Sequence, residues 1–222
     1  MPLNGLEILL AGGGGGLGSA TAELLEREGA RVVIASRSHG IHADITLEQD
    51  RNRLLDAVPE IYGLVVFTGT PARWSSAEML RLSMEVNYEG PILLAREAAE
   101  RMKARGTQGA IVLFSTMQAV ALFPGSTIYA GAKAALQHAA KILAKECRGP
   151  TNIRVNVLAP GVTAAGMAEA SIASGKYDKF VQEGVIHRFG QAADVARAVR
   201  FFLEPDNYIT GQVLSVDGGI TL

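Results

Sequence analysis

The stretch Glu7-Ile8-Leu9-Leu10-Ala11-Gly12-Gly13-Gly14-Gly15-Gly16-Leu17-Gly18 decides the fold. An apolar run opens it, and the helical pattern Ser19 to Arg27 follows the glycines directly. A strand, a glycine turn and a helix start in that order make an anion cradle, because the first amides of a helix lack internal acceptors and its N-terminus carries partial positive charge. Those amides can meet a pyrophosphate only where no Cβ intervenes, and glycine alone ensures this. The turn points to a bound dinucleotide, contacted by Gly12, Gly16, Leu17 and Gly18. The glycines fit two spacings, G-x-x-x-G-x-G at 12, 16 and 18 and G-x-G-x-x-G at 13, 15 and 18. A flexible turn that holds no ligand is the competing reading.

The 222 residues are 48% hydrophobic with a formal net charge of −1, which suits one domain with a large core. We expect a single dinucleotide-binding domain over residues 1–222. No clustered basic face suggests nucleic acid as a partner, and no apolar run has membrane-spanning length. One cysteine, Cys147, excludes an internal disulfide and reads as a core or surface thiol. With only a short polar start before Leu6, we expect no secretory signal and a cytoplasmic setting. His39, His42, His138 and His187 show no ligand spacing, so no metal site is expected.

Apolar, β-branched runs recur at Glu7-Ala11, Arg31-Ser36, Gly63-Phe67, Ala110-Ser115, Arg154-Leu158 and Gln212-Val216. Each is too continuous for a one-sided strand and predicts a buried parallel one. Helical stretches near Ser19-Glu28, Leu47-Val58, Ser75-Arg105, Tyr129-Arg148 and Ala192-Glu204 alternate with them, predicting an α/β fold with a doubly wound, Rossmann-type parallel sheet. The connection after the second strand is shortened. Only six residues separate Arg37 from Asp44, fewer than a parallel crossover requires. Either a strand near Ile41-Ala43 is vestigial, or an irregular segment covers that edge.

Tyr129 and Lys133 stand four apart on a predicted helix and share one face. A phenol is a poor base at neutral pH, but a neighbouring ammonium stabilises the phenolate and moves the tyrosine toward useful proton transfer. The pair can protonate an alkoxide formed from a carbonyl. Such a spacing also arises by chance on ordinary helices.

The strand end Ile111-Val112-Leu113-Phe114-Ser115-Thr116 before that helix adds to Val86-Asn87-Tyr88-Glu89-Gly90, Arg154-Val155-Asn156-Val157-Leu158-Ala159-Pro160-Gly161 and the tail from Arg188-Phe189-Gly190 to Val216-Asp217-Gly218-Gly219. Together with the glycine turn and the Tyr/Lys pair, these motifs resemble a short-chain dehydrogenase/reductase over nearly the whole chain. The resemblance implies a nicotinamide cofactor that exchanges hydride with a carbonyl or alcohol carbon, and Tyr129 as the acid/base. Lys133 would lower the tyrosine's pKa and bond the nicotinamide ribose, and Asn87 would kink its helix and hold a relay water. A helix-interior amide satisfied by its own backbone is the plainer role for Asn87.

Where the family has a carbonyl-polarising serine, thirteen residues before the tyrosine, this chain has Thr116, which keeps a hydroxyl but adds a methyl. Ser115 should point to the opposite face. The family's Asn-Asn-Ala-Gly is Val66-Phe67-Thr68-Gly69 here, and only Gly69 keeps the chain able to pass close to the ribose. The cofactor would also run along Pro160-Gly161-Val162-Thr163. Ala165 replaces the family threonine that follows, with Thr163 out of register.

No carboxylate ends the second strand, where aspartate would accept bonds from the adenosine ribose and repel a 2′-phosphate. Ser36 and Arg37 can instead bind that phosphate, so NADP(H) is expected over NAD(H). A solvated Arg37 is the alternative. Asp44-Ile45 resembles the family's adenine-contacting pair, which the shortened connection could displace.

Apolar residues on more than one side of the helices around Tyr88-Arg105 and Tyr129-Arg148, including Ile92, Leu93, Ala98, Ala135 and Leu136, suggest a homodimer or homotetramer. Packing within one subunit would explain them equally. The small-residue segment Thr163-His187 is expected to cap a pocket for a small carbonyl or alcohol substrate. A cofactor-binding protein without efficient catalysis, serving as sensor or complex subunit, is the alternative function.

Overall fold

The computed structural model describes residues 3–71 and 76–222. In chain order its elements are β1 (Glu7–Ala11), α1 (Gly16–Arg27), β2 (Arg31–Ser36), β3 (Ile41–His42), α2 (Glu48–Asp56), β4 (Ile61–Val66), α3 (Ala77–Met84), α4 (Gly90–Arg105), β5 (Ala110–Phe114), α5 (Thr127–Glu146), β6 (Arg154–Pro160), α6 (Glu169–Ala173), α7 (Asp178–Gln182), α8 (Ala192–Leu203) and β7 (Val213–Val216). The seven strands form one sheet in the order β3-β2-β1-β4-β5-β6-β7, every pair parallel. The doubly wound fold expected from the sequence is the fold observed.

Strand alternation sends Leu9 and Ala11 to one face of the sheet and Ile8 and Leu10 to the other. On the first face they meet Leu54 of α2, Leu94 and Ala98 of α4, and Leu136 and Ala140 of α5. Ala22 and Leu25 of α1 and Val195, Val199 and Phe202 of α8 cover the second face. Ala98 and Leu136 therefore belong to the subunit's own core, and Ile92 packs against it. Leu93 and Ala135 remain half-exposed.

The strand near Ile41–Ala43 is a parallel pair of residues, Ile41 beside Ala35 and His42 beside Ser36. Four residues, Arg37 to Gly40, replace the crossover helix. So tight a return brings backbone onto backbone. Gly40 has φ +69°, and a Cβ there would stand 2.0 Å from the carbonyl oxygen of Ile34.

The helix expected over Ser75–Arg105 is interrupted by a π-helical turn at Glu85–Glu89, while Ser75 itself lies outside the described residues. Pro91 supplies a reason. Lacking an amide hydrogen, it cannot bond the carbonyl of Asn87 four residues earlier, so the α-helical ladder breaks there.

Candidate active site

The glycine turn ends at the N-terminus of α1, where the N-cap Gly15 offers no side chain and no acidic residue occupies the first turn. The first internal bond runs from the Ser19 amide to the Gly15 carbonyl, 2.9 Å. Among the described residues, the amides of Gly16, Leu17 and Gly18 have no acceptor. Three unpaired donors at a positive helix end suit a phosphate.

Glycine is needed around them for close packing. Gly12 has φ +78°, and a Cβ there would lie 2.8 Å from the Thr68 amide; a Cβ on Gly18 would lie 2.3 Å from the Gly13 carbonyl oxygen. The opposite wall is the segment after β6, since a Cβ on Gly16 would stand 3.4 Å from that of Ala165. Beneath the turn, the buried hydroxyl oxygen of Thr68 has no hydrogen-bond partner among the described residues. Free amides, glycine clearances and an unpaired hydroxyl together fit a polar, phosphate-bearing cofactor.

At the end of β2 the Ser36 hydroxyl donates to the His39 carbonyl (2.9 Å) and accepts the amides of Ser38 (3.2 Å) and His39 (2.7 Å). It thus knits the short turn. Arg37 is exposed, with no carboxylate partner among the described residues. Asp44 and Ile45 are held by α2 in place of the missing helix. The Asp44 amide donates to Asp50 (2.7 Å), and Asp44 Oδ1 accepts from the amide and hydroxyl of Thr46 (3.0 and 2.8 Å). Buried Arg51 donates through its Nη1 to the carbonyls of Ile45 (3.0 Å) and Thr46 (3.1 Å), and through its Nε to both carboxylate oxygens of Glu97 on α4 (3.0 Å each).

Tyr129 and Lys133 lie on the first turns of alanine-rich α5, whose high helix propensity needs no cap. Lys133 is fully enclosed. Its Nζ donates to the carbonyls of Phe114 (2.8 Å), the last residue of β5, and Thr68 (3.1 Å), in the loop after β4. Enclosure away from any carboxylate disfavours the ammonium and draws the lysine down to about 7. Tyr129 is half-exposed, yet desolvation pushes its phenol up to about 12, with the nearby Thr116 hydroxyl pulling the other way. The lowering by Lys133 expected from the spacing is not part of this arrangement.

Asn87 is fully buried on the π turn and reaches across to the loop after β4. Its Oδ1 accepts the Thr70 amide (2.9 Å), and its Nδ2 donates to the Thr70 carbonyl and to Ser83 Oγ (3.0 Å each). Gly69 threads between Asn87 and Lys133: a Cβ there would stand 3.1 Å from Asn87 Oδ1 and 3.4 Å from Lys133 Nζ. Thr116 accepts the Gln118 amide (3.3 Å) at the end of β5. Ser115 points away as alternation requires, donating to the Lys133 carbonyl (3.2 Å) and accepting from Gln137 (2.8 Å).

From Pro160, the last residue of β6, Gly161 leads to buried Val162 and Thr163, and the Thr163 hydroxyl donates back to the Gly161 carbonyl (3.3 Å). Thr163 therefore turns inward. Sequence reasoning missed Thr70, Gln137 and Arg51. Gln137 alone left a trace, standing one helical turn after Lys133.

A family model described as enoyl-(acyl carrier protein) reductase matches residues 37–221. The chain is 32% identical over 240 residues to carbonyl reductase family member 4 of Danio rerio, covering 95% of this chain and 96% of that protein. It is 36% identical to NADPH-dependent aldehyde reductase 2, chloroplastic, of Arabidopsis thaliana over 66% of this chain and 54% of the relative. The solved structure of a small-chain dehydrogenase in complex with NADPH superposes with a TM-score of 0.87 at 26% identity, covering 98% of this chain and 99% of that one. A model match from residue 37 to residue 221 and a relative aligned along nearly the whole of both chains leave one assignment: the chain belongs to the short-chain dehydrogenase/reductase family of oxidoreductases.

Proposed function

We propose that the chain interconverts a carbonyl compound and its alcohol with NADP(H). The observation that carries this reading is the enclosure of Lys133 one helical turn from Tyr129, beside the loop that Gly69 threads. The free amides of Gly16, Leu17 and Gly18 would hold the pyrophosphate, and the segment Pro160 to Thr163 would line the other side. Asp44 and Ile45 would meet the adenine. When bound, the nicotinamide supplies or accepts the hydride.

The protein's own part is proton transfer and positioning. Tyr129 donates its phenolic proton to the substrate oxygen during reduction and takes it back during oxidation. Thr116 donates a hydrogen bond to the same oxygen as negative charge develops there. Lys133, whose ammonium donates to the Phe114 and Thr68 carbonyls, would also bond the nicotinamide ribose, and Asn87 keeps the Thr68–Thr70 loop at the lysine. Exposed Arg37, the absence of a carboxylate at the end of β2 and two NADPH-associated relatives support a preference for NADP(H). Ser36 is a weaker 2′-phosphate ligand than its position suggests, because its hydroxyl already serves the turn.

Tyr129→Phe tests the reading. Loss of nearly all turnover with NADPH binding unchanged supports it, and substantial retained turnover overturns it. One observation favours the alternative of a cofactor-binding protein with weak catalysis: the phenol near 12 and the lysine near 7 are not matched for proton transfer in this state. NADPH titration beside a carbonyl panel separates the two.

We also propose a homo-oligomer in a cytoplasmic setting. A groove of about 500 Å3 along α5, lined by Val120, Ala130, Gly131 and Ala134, supports the assembly. Light scattering that gave a monomer at micromolar concentration would remove it. Among the described residues no helix is long and apolar enough to cross a membrane.

A further inference from the structure

The strand order β3-β2-β1-β4-β5-β6-β7 turns back between β1 and β4, and an open α/β sheet binds ligands outside the carboxyl ends of its strands at such a point. Gly12 follows β1 and Thr68 lies just beyond β4, so the two residues face each other across that crevice. Two unpaired donors border the gap that the glycine leaves. A Cβ on Gly12 would lie 2.8 Å from the Thr68 amide and 3.0 Å from the Thr68 methyl carbon. Among the described residues that amide has no acceptor, and the buried Thr68 hydroxyl has no partner. A buried hydroxyl left unpaired destabilises the fold that carries it.

The backbone around Thr68 is pinned. The Phe67 amide donates to the Ala11 carbonyl (2.8 Å), and the Thr68 carbonyl accepts Lys133 Nζ (3.1 Å). Asn87 holds both the amide and the carbonyl of Thr70 (2.9 and 3.0 Å). The freedom that remains at half-buried Thr68 is rotation about χ1. One staggered step about that bond carries the hydroxyl into the place the methyl now holds, against Gly12 and toward the crevice.

We propose that Thr68 is a cofactor ligand whose side chain turns on binding, so that its hydroxyl, unpaired in the free protein, donates to an oxygen of the cofactor's sugar and phosphate chain. The proposal rests on the NADP(H) reading above and adds a residue to it. Its signature is a reversal of sign. Replacing the hydroxyl by a methyl relieves the free protein of an unsatisfied donor and deprives the complex of a hydrogen bond. A threonine that merely supported its loop would weaken both states together.

The test compares wild type with Thr68→Val, which keeps the shape and removes the hydroxyl, and Thr68→Ser, which keeps the hydroxyl. Each protein is melted without nucleotide and titrated with NADP+ by calorimetry. Thr68→Val should melt without nucleotide at the wild-type temperature or up to about 4 °C above it, and should bind NADP+ about tenfold more weakly. Thr68→Ser should bind within about threefold of wild type. A valine variant that binds within threefold of wild type, or that melts lower without nucleotide, overturns the proposal. If the wild type binds NADP+ and turns over no carbonyl, the reductase reading fails while the role of Thr68 is still decided by the valine titration. Failure of the wild type to bind NADP+ overturns both.

Discussion

The ammonium nitrogen of Lys133 lies 2.8 Å from the carbonyl oxygen of Phe114, the last residue of β5. A cation enclosed with only neutral acceptors is a destabilising element in the cofactor-free protein. Its folded-state value is drawn down to about 7 from the ordinary 10.5, so between those values the unfolded chain holds a proton the folded chain lacks. Stability falls as pH drops through that window and levels off below it. Lys133→Met removes the titration, so the variant's Tm relative to wild type should climb as pH is lowered from about 10.5 to about 7 and then stay constant. Thermal melts without cofactor check this, and parallel curves across the window would refute it.

Thr116 should act through its hydroxyl and not its methyl. Removing one hydrogen-bond donor to a developing oxyanion typically costs ~100-fold or more in kcat. Thr116→Val should show such a loss with NADPH affinity unchanged, and Thr116→Ser should stay within a few-fold of wild type. Equal kcat in the valine and serine variants would remove the assignment.

Arg51 links the Asp44–Thr46 loop to α4. Arg51→Met leaves Glu97 unpaired and two carbonyls without donors, which we expect to destabilise the fold by about 2–4 kcal/mol. NADPH affinity should weaken about tenfold while kcat at saturation holds. Unchanged affinity, measured by nucleotide fluorescence, would show that the loop does not touch the adenine.

The glycines of the turn should differ sharply in tolerance. A Cβ on Gly18 would meet the Gly13 carbonyl at 2.3 Å, whereas one on Gly15 meets nothing within 4 Å. Urea denaturation should find Gly15→Ala within about 1 kcal/mol of wild type and Gly18→Ala destabilised by several. Similar losses in both would contradict this packing.

The strands Glu7–Ala11 and Arg31–Ser36 have the boundaries their sequence predicts, because a strand covered on both faces is one unbroken apolar run. Helices α6 and α7, each five residues long, carry too little periodicity to announce themselves. Ala98 and Leu136 show how a wide apolar arc misleads: periodicity reveals that a helix face is covered, not whether sheet or another subunit covers it. In the candidate site, the Tyr129/Lys133 spacing and the glycine turn were legible as local patterns. Lys133's bond to Thr68, 65 residues away, and Asn87's hold on Thr70 were not, since side-chain partners across the fold leave no local signal.

The two-residue β3 has a consequence at the sheet's margin. Among the described residues, only Ala35 and Ser36 of β2 find a strand partner on that side, so the outer rim of Arg31 to Ile34 is unpaired among them. An open rim invites a strand from another molecule, but exposed Arg37 at one end, and Arg31 in its ion pair with Glu7 (3.4 Å) at the other, set charged side chains at both ends of this one. With only a short turn in place of a crossover helix there, charged side chains at the two ends of the rim discourage fibril-like association.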